Sequence, residues 1–140
     1  MDIIVALLNH HKELRHLLEK TKANPKYFSE LKKSLEIHHI NEEKYLLDHS
    51  KEKDSLKDES LESIEEHHAI VLMLEDLDNF PMSNDRWKVK LKVLKEYLEH
   101  HLKEEEEDLF PEAYKDLNDD ELVRLGNEYE KTKEKQMAIL

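Results

Sequence analysis

Two leucine-rich stripes in this chain keep helical time for several turns, and each then places a histidine and a glutamate where further leucines are expected. One stripe is Phe28, Leu31, Leu35, His38, Glu42 and Leu46; the other is Trp87, Leu91, Leu94, Leu98, His101, Glu105 and Leu109. Steps of three and four residues place side chains on one face of a helix, so each stripe is the buried face of a long amphipathic helix. Ionisable groups are costly to bury unless something compensates them, and neither stripe carries a Lys or Arg that could. The interruption is therefore a demand for a cation.

The stripes are copies of one another. Shifting the second helical segment by 63 residues superposes Leu31, Leu35, His38, Glu42, Glu43 and Leu46 on Leu94, Leu98, His101, Glu105, Glu106 and Leu109. A shift of 56 superposes Val5, Leu8, His11, Leu14 and Leu18 on Leu61, Ile64, His67, Ile70 and Leu74. The chain reads as two helical hairpins of one design. Each carries a lone histidine on its first helix and His-x-x-x-Glu on its second.

Sequence breakers divide the 140 residues into five helices. The first runs from about Asp2 to Lys22 and stops at Ala23-Asn24-Pro25; the second follows Pro25 to about Ser50. A polar stretch to Ser60 leads into a third over roughly Leu61 to Asp78. Ser83-Asn84-Asp85 offers caps for a fourth, ending near Asp108 ahead of Pro111. A shorter, mostly charged fifth helix covers about 119–136. A single Gly and three Pro leave no room for a turn-rich β fold. The expectation is one all-α domain over 1–140: an up-down four-helix bundle from hairpins at about 2–50 and 58–108, with a short additional C-terminal helix outside it.

Composition narrows the partners. The formal charge of −12 argues against nucleic acid and anionic membranes, which select basic surfaces. The absence of cysteine excludes disulfides, zinc–thiolate sites and iron–sulfur clusters. No run approaches the ~20 apolar residues of a membrane span, and the start of the chain lacks a signal-peptide pattern. A soluble cytoplasmic protein is expected.

Residues four apart on a helix project to nearly the same place, so His-x-x-x-Glu can present an imidazole and a carboxylate together. Two such helices and two single histidines supply four nitrogens and two carboxylates, a set suited to iron, manganese or zinc. Two carboxylates shared among four histidines favour two metals bridged by both. The ferritin-like scheme finds local matches at Glu36-x-x-His39 and Glu65-x-x-His68, but these fall on consecutive helices without partner glutamates at equal depth.

Histidines occur as doublets at 10/11, 38/39, 67/68 and 100/101. Neighbours on a helix point about 100° apart, so one of each pair is expected to face the centre. The leucine stripes choose His38 and His101. Apolar neighbours favour His11 over His10, and the repeat favours His67 over His68. The spare histidines are expected behind the ligands or at interfaces, with His16 and His49 in solvent.

The segments Leu8-Asn9-His10-His11-Lys12-Glu13-Leu14-Arg15, Leu35-Glu36-Ile37-His38 leading to Glu42-Glu43, Glu65-Glu66-His67, and His101 with Glu105-Glu106 and Leu109-Phe110-Pro111 resemble the hemerythrin-like (HHE cation-binding) family. The resemblance covers essentially the whole chain. It implies an oxo- or hydroxo-bridged centre of two iron ions in a four-helix bundle, with His11, His38, Glu42, His67, His101 and Glu105 as ligands. The chain departs from the oxygen-carrying branch of that family. Val71 and Leu72 stand where a second histidine would follow on helix 3, and the acid on helix 4 lies four residues after His101 where the carriers have an Asp at five. Water, His68, Glu43 or Glu106 could complete the site. The implied function is binding of oxygen, nitric oxide or peroxide for sensing, storage or delivery. Alternatives are a di-iron peroxidase or catalase-like enzyme, an iron-donating repair protein, or a non-redox zinc or manganese site.

Overall fold

Polar side chains cap several of the helix starts: Asp2, Asn24, Asn84 and Asn118 each accept from a nearby backbone N–H. In a computed structural model, which describes residues 1–139, α1 spans Ile3–Ala23, its first turn capped by Asp2, which accepts from the Val5 N–H at 2.9 Å. Asn24 caps a single 3-10 turn at Pro25–Tyr27. Then α2 runs as an α-helix over Phe28–Glu42, passes through a π turn at Glu43–Leu47 and closes with Asp48–Ser50. The third helix, α3, spans Lys57–Asp78. It starts a turn earlier than Leu61 because Leu56, fully buried, anchors the polar connection to the core.

Asn84 caps α4, which is α-helical over Asp85–Glu104, π-helical over Glu105–Leu109 and α-helical again over Phe110–Asp116. It therefore continues past the expected end near Asp108 and through Pro111. A proline is tolerated where its missing N–H is not needed, and Pro111 falls in the first turn after the change of register. The first π turn directly follows its His-x-x-x-Glu and the second starts on the glutamate of its own, so the two lie within one residue of equivalent places in the repeat.

The four helices form a ring, α1 against α2 and α4, and α3 against α2 and α4. As the stripes predict, the chain is an all-helical bundle with an added C-terminal helix. That last helix, α5 (Asp119–Ala138), has 20 residues against 21 in α1, so it is not short. It lies along α1 and α2, burying Leu122, Leu125 and Tyr129. The lone Gly126 permits this approach: a Cβ there would sit 2.3 Å from the Met1 carbonyl oxygen and 2.6 Å from the Ile3 nitrogen.

The interior has two apolar layers. One gathers Ile3, Ile4, Leu7, Leu46, Leu109 and Phe110 with α5. The other holds Leu14, Leu31, Leu35, Ile70, Leu94 and Leu98, and ends on Phe28 packed edge-to-face with Trp87, whose indole N–H donates to the Leu77 carbonyl at 3.0 Å. Between them lies a layer of buried histidines and glutamates. Among the described residues, no helix is long and apolar enough to cross a membrane.

Candidate metal centre

All four bundle helices contribute to the polar layer. The first supplies His11, α2 supplies His38, His39 and Glu42, α3 supplies His67, and α4 supplies His101 and Glu105; each is at most 3% exposed. Their donor atoms form overlapping groups in which every atom lies within 4.8 Å of the others. One group is His11, His38, Glu42 and Glu105; a second is Glu42, His67, His101 and Glu105; a third is His39, His67 and His101. Glu42 and Glu105 belong to both sides. The Nε2 of His67 stands 2.9 Å from Glu42 Oε1, and the Nε2 atoms of His11 and His101 stand 3.4 and 3.5 Å from Glu105 Oε1.

The inward atoms share one property. Nε2 of His11, His38, His39, His67 and His101, both oxygens of Glu42 and Oε1 of Glu105 are buried without a hydrogen-bond partner. They are the full set of such side-chain atoms among the described residues. Leaving a buried polar atom unsatisfied costs about 1–3 kcal/mol, so eight together would cost as much as a domain's whole stability. All eight offer lone pairs on nitrogen or carboxylate oxygen, the donors that metal cations take. The residues fit a metal cation.

The outward nitrogens are all but one accounted for. Glu106 Oε2 lies 2.8 Å from His11 Nδ1, and Arg15 grips both oxygens of Glu106, Nη1 donating to Oε2 at 2.7 Å and Nη2 to Oε1 at 2.9 Å. Glu43 Oε2 lies 2.8 Å from His67 Nδ1, and Glu66 Oε1 lies 2.7 Å from His101 Nδ1. His38 Nδ1 instead meets the Tyr129 hydroxyl at 3.1 Å and His10 Nδ1 at 2.9 Å, while His10 Nε2 meets Ser34 Oγ at 3.1 Å. A partner on Nδ1 fixes the ring and its tautomer, leaving the Nε2 lone pair for the centre. Ser63 donates to Glu105 Oε2 at 2.8 Å.

Electrostatics follow the partners. Burial, and then their histidine neighbours, push His38 and His39 well below the ordinary imidazole value, so both are neutral. Burial does the same to His10, lowering it to about 3. For His11 burial is outweighed by Glu105 and Glu106, which raise it to about 9. Glu106 is brought down to about 2 against its burial by His11 and Arg15. Burial and the nearby Glu105 push Glu42 well above the carboxylate range, whereas His101 and His11 hold Glu105 below it despite burial. Two carboxylates without cations cannot both stay charged here.

Residues 2–113 match the hemerythrin HHE cation-binding domain. The chain belongs to that family. The fold agrees: the chain resembles the crystal structure of a hemerythrin HHE cation-binding domain-containing protein from Mycobacterium kansasii, with TM-score 0.84 at 24% identity over 97% of this chain and 87% of that one. No curated protein matches the chain. The family match ends before α5, so Tyr129 reaches the hemerythrin-like layer from outside the matched segment.

The structure brings His11, His38, Glu42, His67, His101 and Glu105 together. Of the residues considered for completing the set, His68 points outward, its side chain 68% exposed, and Glu43 and Glu106 support His67 and His11 from behind. His39 faces the layer instead. Choosing one member per doublet fails at 38/39 because α2 meets the layer broadside: the two imidazoles straddle its inward direction and serve opposite sides. His39 stacks on His67 with ring centroids 3.9 Å apart. The repeat conceals this, since its counterpart in α4 is Leu102. Tyr129 was also missed. It looks like any core tyrosine in the sequence, and no local pattern marks it.

Proposed function

We propose that this cluster holds two iron ions and that the protein binds oxygen, or a related small oxidant or gas such as nitric oxide or peroxide, for sensing, storage or delivery in the cytoplasm. The observation that carries this reading is the set of eight buried, unpartnered lone-pair donors between two apolar layers. His11 and His38 would hold one ion, and His39, His67 and His101 the other, with Glu42 and Glu105 available to either. Iron bound there would supply reversible one-electron chemistry toward a small ligand.

The protein's own part is to exclude water and hold the imidazoles. A cleft of about 380 Å³ between α2 and α3 reaches His39 and His67 past Ile40, Ile64, Val71 and Leu74. Its walls mix these apolar side chains with Glu36, Glu43, Glu65 and His68, and it has room for a small molecule. Val71, where oxygen carriers of this family have a further histidine, widens that approach.

The test is absorption spectroscopy on the iron-loaded protein, reduced without oxygen and then exposed to each ligand. Bands that appear on exposure and vanish when oxygen is withdrawn support carriage or storage. Bands that persist until a reductant is added support sensing, and sustained peroxide consumption in proportion to iron supports an enzyme. A colourless protein retaining zinc and refusing iron would overturn the reading.

A further inference from the structure

A second opening reaches the polar layer from the opposite hairpin, and its chemistry is different. It is a vestibule of about 180 Å³ between α3 and α4, walled by Glu59, Glu62, Glu66, Glu104 and Asp108, with Ser63 and Glu105 at its floor. No Lys or Arg lines it. Among the described residues, none of the five wall carboxylates lies within 4 Å of a Lys or Arg nitrogen, although Glu99 and Glu106 on the same helix are both held by Arg15.

Two observations point to a ligand. The floor residue Glu105 is 3% exposed and links the two spaces: its Oε2 accepts from Ser63, and its unpartnered Oε1 faces His11 and His101 in the interior. At the rim, Glu66, His100 and Glu104 place donor atoms within 4.8 Å of one another, with His100 Nε2 2.7 Å from Glu104 Oε1. Glu66 also bonds the outward nitrogen of His101, so the rim cluster and the interior cluster share a connecting residue.

We propose that this vestibule is the entry port through which divalent cations load the interior centre, with Glu66, His100 and Glu104 as a surface capture site and Ser63–Glu105 as the inner gate. The inference rests on the metal-centre reading above. A capture site of three ligands, two of them on a solvated rim, binds weakly and releases its ion inward. The interior supplies seven ligand residues, so the gradient of affinity runs from rim to core. Concentrated negative potential in a low-dielectric mouth raises the arrival rate of cations by about 10–10³-fold. The crowded carboxylates already oppose one another's charge: burial, then Asp108, Glu112 and Glu62, push Glu59 above its ordinary value.

The experiment follows Co²⁺ uptake by metal-stripped protein through its visible ligand-field absorption. The triple variant Glu59→Gln, Glu62→Gln, Asp108→Asn removes charge at exposed positions and leaves the interior ligands intact. At low ionic strength it should load at least ~10-fold more slowly than the parent yet reach the same two ions per chain, and at high salt the gap should close. A matched triple on other faces, Glu30→Gln, Glu52→Gln, Asp120→Asn, should load within about 2-fold of the parent. His100→Ala should abolish the weak surface-bound Co²⁺ that precedes interior uptake. Equal slowing in both triples, or an unchanged rate in the first, overturns the port. A parent protein that takes up no interior Co²⁺ overturns the metal-centre reading itself, which is a separate failure.

Discussion

The hairpin α1–α2 and the hairpin α3–α4 carry the same motif and support it differently. Where the repeat is kept, the contacts are reciprocal: His11 rests on Glu106 of the other hairpin, and its counterpart His67 rests on Glu43, the counterpart of Glu106. Where the repeat breaks, the chemistry divides. His10 corresponds to Glu66, and both back the ligand-facing histidine of their own hairpin's second helix. Behind His38 stands a neutral, fully buried His10 sealed by Tyr129; behind His101 stands a carboxylate open to the acidic vestibule. Arg15 corresponds to Val71, so Glu106 has a guanidinium clamp and Glu43 none. Ser63 corresponds to Leu7, so Glu105 has one oxygen satisfied and Glu42 neither. One duplicated scaffold thus has a half whose second-helix histidine, His38, is backed by a closed, neutral pocket under α5, and a half whose counterpart, His101, is backed by a carboxylate open to solvent.

The most severe way to break this asymmetry is to erase the difference between His39 and Leu102. His39→Leu gives α2 the residue that α4 has and leaves one side of the layer with His67 and His101 alone. We expect the second equivalent of metal to bind at least ~100-fold more weakly while the first is little changed, by analogy with removing an orienting or ligating group from a metal site. Two equally tight equivalents by titration calorimetry would show that His39 is packing only.

The neutral half should also dominate the acid response of the metal-free protein. His10, His38 and His39 have folded values below the ordinary 6.5, so they contribute stability above pH 6.5 that is lost as pH falls beneath it. Glu42, raised above 4.5, opposes them, since the folded state holds its proton where the unfolded chain has lost it. Three histidines against this one carboxylate predict a net loss of stability as pH falls from 6.5 to 5. Urea unfolding at successive pH values checks this, and a flat profile from 6.5 to 5 would contradict neutral burial of the three.

Tyr129→Phe removes the hydroxyl shared by His10 and His38 without changing shape. The stability cost should be about 1–2 kcal/mol, with metal affinity falling about 10-fold or more. Loss of neither would mean that α5 covers the closed half without supporting it. The smallest effect belongs to Arg15→Val, which gives the first hairpin the residue of the second. Glu106 should titrate well above its present value of about 2. Stability should fall by less than ~1 kcal/mol because Arg15 is partly solvated. Carboxyl NMR reads the first change and thermal unfolding the second.

The helices and the polar layer were legible because both are periodic. A leucine stripe that turns into His and Glu at the same step on two helices is visible without coordinates, and four residues of the layer follow from it; His11 and His67 follow from their apolar neighbours and the repeat. What stayed hidden is not periodic. His39 lies off the stripe and has Leu102 as its repeat partner, so the symmetry that exposed the other ligand candidates argued against it. The π turns at 43–47 and 105–109 leave no compositional mark, and the second carries α4 through Pro111 where a stop was expected. The reach of Tyr129 depends on α5 settling against α1, which in turn depends on the absence of a side chain at Gly126.

The most direct test of the central claim is the iron content of stripped protein reloaded with ferrous iron without oxygen, beside His101→Ala treated identically. We expect two tightly held irons per chain in the parent and no more than one in the variant. Equal retention in both, or no tight iron in the parent, would contradict an interior two-iron centre.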